Sequence, residues 1–171
     1  MIYLNIGSNL PLDGGGRETN ILKAINCLKK LNLNLIKISS FYETPSYPNN
    51  FEPKFINLCV KFESNIKVIE LLNEIKKIEK KLGRIRIKKN EPRTCDIDII
   101  DFNGKIVKND ELEIPHPRLH LRNFVIYPLK EIEPNWFHPI YNKNIDSFFK
   151  ELDKNSHNEI TRLIKSDILN E

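Results

Sequence analysis

Hydrophobic positions along this chain recur with two alternating periods. Ile2, Leu4 and Ile6 fall at every second position, the spacing of a strand with one buried face. Gly7-Ser8-Asn9 ends that strand, and Asp13 to Gly16 makes a glycine-rich loop. Ile21, Leu22, Ala24, Ile25 and Leu28 then recur at helical spacing. Leu35 to Tyr42 predicts a second strand, broken at Thr44-Pro45 before a Pro/Asn-rich loop that runs to Pro53. Between Phe55 and Phe62 the alternation is clean. Ile56, Leu58, Val60 and Phe62 take one face, and Phe55 and Asn57 take the other. Val68, Leu71, Leu72, Ile75, Ile78 and Leu82 mark a second amphipathic helix, stopped by Gly83.

A basic loop follows from Arg84 to Arg93, and Asp96 to Phe102 reads as a strand. Arg122 to Leu129 predicts a short helix before Pro134. Ile145 to Leu169 predicts a helical tail with a stripe at Ile160, Leu163 and Ile164. The order strand, helix, strand, strand, helix, strand predicts an α+β fold. Its core is a ferredoxin-like antiparallel sheet of the split βαβ kind, flanked by helices. One domain over residues 1–171 is expected, with a core of about 1–140 and a helical C-terminal extension over 141–171.

Composition narrows the class only a little. Hydrophobic residues make up 40% and charged residues 29%, ordinary for a globular chain. A net charge of +4 suits an anionic substrate without dictating one. Cys27, Cys59 and Cys95 form no CxxC pair, which argues against zinc, and their odd number argues against a disulfide framework. Met1 to Leu10 has no signal-peptide pattern, and no apolar run reaches the length of a membrane span. A cytoplasmic monomer with small-molecule substrates, and with no membrane or nucleic-acid partner, is the expectation.

The strongest chemical signal is Pro92-Arg93-Thr94-Cys95-Asp96-Ile97-Asp98. On a strand, residues two apart share a side and lie roughly 7 Å apart. Asp96 and Asp98 therefore project together while Ile97 and Ile99 face the core. Paired carboxylates repel unless a cation joins them, and magnesium commonly combines one or two carboxylates with substrate phosphates. Arg93 lies where its planar fork could grip a phosphate. On spacing alone the pair fits the polar face of an exposed strand equally well.

The basic loop sets Arg84, Arg86, Lys88, Lys89 and Arg93 against one acid, Glu91, and could close over polyphosphate or remain a solvated loop. A ferredoxin-like RNA-binding module would explain that loop but not the aspartate pair. Ile114-Pro115-His116-Pro117-Arg118, with Arg122 beyond, holds a histidine between two prolines. Phe55 beside Asn57 suits a flat heterocycle, one stacking and the other reading its edge. Glu79, beside the apolar stripe of the second helix, fits a solvated glutamate on pattern alone. No Walker A ending and no protein-kinase motif set is present.

Taken together these segments resemble the 6-hydroxymethyl-7,8-dihydropterin pyrophosphokinases of folate biosynthesis. The resemblance runs from Gly7-Ser8-Asn9 through Ser40-Phe41-Tyr42-Glu43-Thr44-Pro45 and Phe55-Ile56-Asn57 to Glu79 and Leu82-Gly83-Arg84. It continues through Arg86, Pro92-Arg93, Asp96-Ile97-Asp98, Pro115-His116-Pro117-Arg118, Arg122, Phe124 and Pro128-Leu129. It implies ATP as co-substrate, two magnesium ions and a hydroxymethyl dihydropterin as acceptor. By that resemblance Asp96 and Asp98 are metal ligands. Thr44, Pro45, Phe55, Asn57, Asp96 and Phe124 bind the pterin, and Glu79, Arg84, Arg93, His116 and Arg122 surround ATP. Arg84, Arg86, Arg93, Asp96 and Asp98 make up the catalytic set, with Arg86 in a mobile loop. The chain departs from the family pattern in carrying Lys88-Lys89-Asn90-Glu91 where a Trp usually precedes Pro-Arg. The loop after Asn9 is longer, and Tyr47 to Pro53 lacks the usual Gly and Gln.

Overall fold

A computed structural model describes residues 1–12, 14–46, 51–84 and 91–163. In chain order the elements are β1 (Ile2–Ser8), α1 (Arg17–Lys29), β2 (Asn34–Ile38), β3 (Tyr42–Thr44), β4 (Phe55–Glu63), α2 (Val68–Lys81), β5 (Asp96–Phe102), β6 (Val107–Lys108) and β7 (Glu113–Ile114). A single 3-10 turn, Leu119–Leu121, leads into α3 (Asn123–Ile132), followed by β8 (Phe137–His138), β9 (Lys143–Asn144), α4 (Ile145–Glu151), α5 (Lys154–Asn158) and β10 (Thr161–Arg162).

The main sheet is antiparallel in the order β10-β3-β4-β1-β5, with β2 also paired to β4. This is the expected ferredoxin-like order. Both faces are buried. Ile2, Leu4, Ile6, Ile56, Leu58, Val60 and Phe62 meet the apolar sides of α1 and α2. Tyr3, Cys59 and Ile100 meet α3 and α4 on the other face. Each fully buried aliphatic side chain contributes on the order of 1.5–3 kcal/mol, so two packed faces suffice for a stable domain.

Two expectations are corrected. The strand predicted over Leu35 to Tyr42 is divided into β2 and β3. Around Ser39 the ladder to Cys59 is retained, with Ser39 Oγ accepting from Cys59 N at 2.9 Å. At Ser40 the backbone N–H turns away to the Glu131 carboxylate, at 3.1 Å. The tail is likewise not one helix. α4 ends at Glu151, Asp153 caps the short α5 by accepting from Ser156 N at 2.8 Å, and the chain then joins the edge of β3 as β10. Residues 164–169 of the predicted tail lie outside the described residues.

The second apolar layer stops short of one end of the sheet, and this positions the site. Along β1 the face beneath α3 runs Tyr3, Asn5, Gly7. Along β4 it runs Cys59, Asn57, Phe55, and along β5 Ile100, Asp98, Asp96. The register sets Gly7 between Asn57 and Asp96, and Asn5 between Cys59 and Asp98. Apolar residues on this face thus give way to a polar floor. No helix among the described residues is long and apolar enough to cross a membrane.

Candidate active site

Strand β5 presents Asp96 and Asp98 on that floor, while Ile97 and Ile99 enter the opposite core. Three arginines neutralise the two carboxylates. Arg84 meets Asp96 Oδ1 at 2.6 Å and Arg93 meets Asp96 Oδ2 at 2.6 Å. Arg122 meets Asp98 Oδ2 at 3.1 Å. Burial, then the neighbouring Asp96, pushes the Asp98 carboxyl from 3.8 up to about 6, against the pull of the arginines.

Glu79 stands behind this cluster. Pattern alone fitted a solvated glutamate, but the side chain is buried, pairs with Arg84 and accepts the Ile97 N–H at 2.9 Å. It therefore aims Arg84 and ties the end of α2 to β5. Gly83, in the left-handed region at φ 79°, turns the chain at the helix end to make this possible.

A third group lies beyond β5. His116 N donates to Ile100 O at 3.1 Å, which fixes the Pro-His-Pro turn against the strand. Burial, helped by Arg122 and Arg118, holds the His116 imidazole down at about 4, so the ring is neutral at pH 7. Its Nδ1 faces Arg118 N at 3.1 Å and its Nε2 faces Arg122 at 3.2 Å. A neutral imidazole has one lone pair, so it can satisfy only one of these two donors.

The rest of the floor is built from amides and rings. A Cβ on Gly7 would come within 2.4 Å of Asn57 Oδ1, so glycine is what lets the Asn57 amide lie across β1. Thr44 and Asn57 are buried on adjacent strands, with Pro45 next to Thr44. Arg93 lies over the Phe55 ring at 5.1 Å and Arg122 over Phe124 at 5.4 Å. Asn9, buried, ties two loops together: Oδ1 accepts from Arg93 N at 2.6 Å and Nδ2 donates to Pro53 O at 3.0 Å.

Asn5 has a role that sequence reasoning missed. Pro128, inside α3, has no N–H for the Phe124 carbonyl one turn before it. With its amide oriented to satisfy its neighbours, Asn5 donates to Phe124 O at 3.0 Å and to Leu58 O at 3.2 Å. The sheet thereby holds the start of α3, and with it Arg122 and Phe124.

A cleft of about 370 Å³ opens beside the carboxylates. Its walls include Leu72, Ile75, Glu79, Leu112 and His116, with Asp96 and Asp98 at its edge. Leu72, Ile75 and Leu112 supply an apolar wall that sequence reasoning did not assign to a site. The stripe spacing of α2 gave the first two as core. A larger cavity of about 470 Å³ lies at the far end of the sheet against Tyr3, Asp101 and Trp136 and holds none of the candidate residues. Arg86 lies outside the described residues.

With this geometry in view, comparison with known proteins is specific. The family model described as 7,8-dihydro-6-hydroxymethylpterin-pyrophosphokinase (HPPK) matches residues 3–134. An Aquifex aeolicus protein named 2-amino-4-hydroxy-6-hydroxymethyldihydropteridine pyrophosphokinase is 41% identical, over 88% of this chain and 91% of its own. A Bacillus subtilis protein of the same name is 37% identical over 76% of each. Among solved structures, a Plasmodium falciparum HPPK-DHPS superposes with a TM-score of 0.70 at 18% identity. That match covers 94% of this chain and 46% of the other, and carries the fold alone.

Proposed function

The chain belongs to the 7,8-dihydro-6-hydroxymethylpterin-pyrophosphokinase family, which transfers diphosphate from ATP to the pterin hydroxymethyl group in folate biosynthesis, and on that premise we propose which residues carry the reaction. Asp96 and Asp98 hold magnesium together with the ATP phosphates. Arg84, Arg93 and Arg122 bind those phosphates. Thr44, Pro45, Phe55, Asn57 and Phe124 form the pterin pocket, and Glu79 and His116 position the arginines beside ATP.

The observation that carries this reading is the pairing of every carboxylate in the cluster with an arginine. Glu79, Asp96 and Asp98 face Arg84, Arg93 and Arg122, three negative against three positive charges. A magnesium–triphosphate complex also carries both signs, cations for the carboxylates and anions for the arginines. With magnesium and ATP bound, Asp96 and Asp98 would hold the metal, and Arg84, Arg93 and Arg122 would face phosphate. Arg84 would keep its contact with Glu79, so the buried glutamate stays paired. Two oxygen-donor side chains on one strand face fit magnesium, as does a carboxyl pushed up first by burial and then by its neighbour Asp96. Bound there, the metal supplies charge neutralisation and polarises the phosphoryl oxygens.

The remaining work falls to the chain. The pterin hydroxymethyl oxygen bonds to the β-phosphorus as the bridge to the α-phosphorus breaks. AMP leaves with the bridging oxygen, and the hydroxyl proton is released. Such a transfer needs alignment and charge stabilisation more than a covalent nucleophile. Asn57, held across Gly7, offers both a donor and an acceptor to a heterocycle edge. Phe55 and Phe124 offer ring faces now covered by arginines that the phosphates would draw away. Neutral His116 keeps its Nε2 beside Arg122 without adding charge. The apolar wall of Leu72, Ile75 and Leu112 suits a nucleobase.

Purified protein mixed with ATP, magnesium and 6-hydroxymethyl-7,8-dihydropterin should release AMP and pterin diphosphate in equal amounts. Asp96→Ala and Asp98→Ala should each remove that activity while leaving the circular-dichroism spectrum unchanged. Retained turnover in either variant would refute the metal assignment.

A further inference from the structure

The family match ends at residue 134, and nothing in it gives a task to the chain beyond. In the structure residues 153–163 return to the site and grip two of its walls. β10 pairs with β3, Thr161 opposite Glu43 and Arg162 opposite Tyr42, and Leu163 N donates to Phe41 O at 2.8 Å. Thr44 lies two residues beyond Tyr42 on that same short strand. On the other wall, Ser156 O accepts from Asn123 Nδ2 at 2.7 Å, between Arg122 and Phe124 in sequence. Tyr127 OH and His157 Nδ1 meet at 2.7 Å one turn further along α3.

Arg162 touches both walls. Its Nε donates to Ser40 Oγ at 3.0 Å and its Nη2 donates to Glu131 Oε1 at 3.0 Å. The Glu131 carboxylate, from the end of α3, also accepts Ser40 N at 3.1 Å, Ser40 Oγ at 2.9 Å and Tyr42 OH at 2.9 Å. Strand β3 is therefore aligned by a side chain from α3 that Arg162 itself holds. We propose that residues 153–163 are a brace for the pterin pocket, with Arg162 as a positioning residue that sets Thr44 against Phe124. The proposal rests on the assignment of Thr44, Asn57 and Phe124 to that pocket.

The Arg162 side chain is 63% exposed, and an ion pair so exposed contributes little to stability. Its loss should therefore be read in alignment, where shifts well under an ångström weaken a site. In the full-length chain, Arg162→Ala should raise the KM for the pterin about fivefold or more. The KM for ATP and kcat should stay unchanged, and the melting temperature should move by no more than about 2 °C. Arg162→Lys keeps a cation for Glu131 and should recover part of the pterin KM. An unchanged pterin KM, an equal rise in both KM values, or a loss confined to melting temperature would overturn the brace. Asn57→Ala in the same assay separates the two layers of inference. If it leaves the pterin KM unmoved, the pocket assignment fails. If it raises that KM while Arg162→Ala does not, the brace alone fails.

Discussion

Replacing Asp98 with Asn separates what its charge costs the ligand-free fold from what it does in the reaction. The carboxyl is pushed from 3.8 up to about 6, first by burial and then by Asp96. A carboxyl with a raised folded-state pKa binds its proton more tightly when folded. Its stabilising contribution is fully present below about pH 4 and is lost as pH rises through 6. A shift of about two units corresponds to roughly 3 kcal/mol. The Asp98 side chain is 27% exposed, so solvent screening lowers the expectation to about 1–2 kcal/mol. Asn keeps the shape and removes the charge. In chelator without substrates, urea unfolding should find Asp98→Asn more stable than the parent by about 1–2 kcal/mol at pH 8 and no more stable at pH 4. With ATP and pterin added, the same variant should give no magnesium-dependent AMP. A variant less stable than the parent at pH 8 would refute the reasoning, because the Asp98–Arg122 attraction would then outweigh the burial of the charge.

Gly7→Ala should displace the Asn57 amide, whose Oδ1 stands 2.4 Å from the new Cβ. Steady-state kinetics should show a raised pterin KM, and unfolding should show a loss under about 1 kcal/mol, since a flexible side-chain end can yield. Glu79→Gln leaves Arg84 with Asp96 as its anion and weakens the acceptor for the Ile97 N–H, and should cost about 1–2 kcal/mol in denaturant unfolding while raising the KM for ATP. Trp136→Phe removes the 2.8 Å bond from Nε1 to Asp101 at the far end of the sheet. It should lower stability by about 1–2 kcal/mol and leave kcat and both KM values unchanged.

Alternation from Asp96 to Ile99 made the start of β5 legible, and spacing alone put Asp96 and Asp98 on one side of it. The two-faced burial of β4 was only half legible, because Cys59 packs under α3, which the periodicity of β4 does not reveal. The tail misled for a local reason. Ile160 and Leu163 are three apart, as on a helix, but the open edge of β3 offers backbone partners that outweigh that spacing. Glu79 fitted a solvated residue because its partners, Arg84 and the Ile97 N–H, come from two other segments. Asn5 was the least legible. Its role follows from Pro128, one helical turn beyond Phe124, which leaves a carbonyl that the first strand must satisfy.

The exchange of partners around Asp96 and Asp98 is tested most directly by a crystal structure of the protein with magnesium, a non-hydrolysable ATP analogue and the hydroxymethyl pterin. Metal should lie within about 2.1 Å of oxygens from both carboxylates, with Arg84 and Arg93 moved from Asp96 onto phosphate. Metal held by the triphosphate alone, with Arg84 and Arg93 still on Asp96, would contradict it.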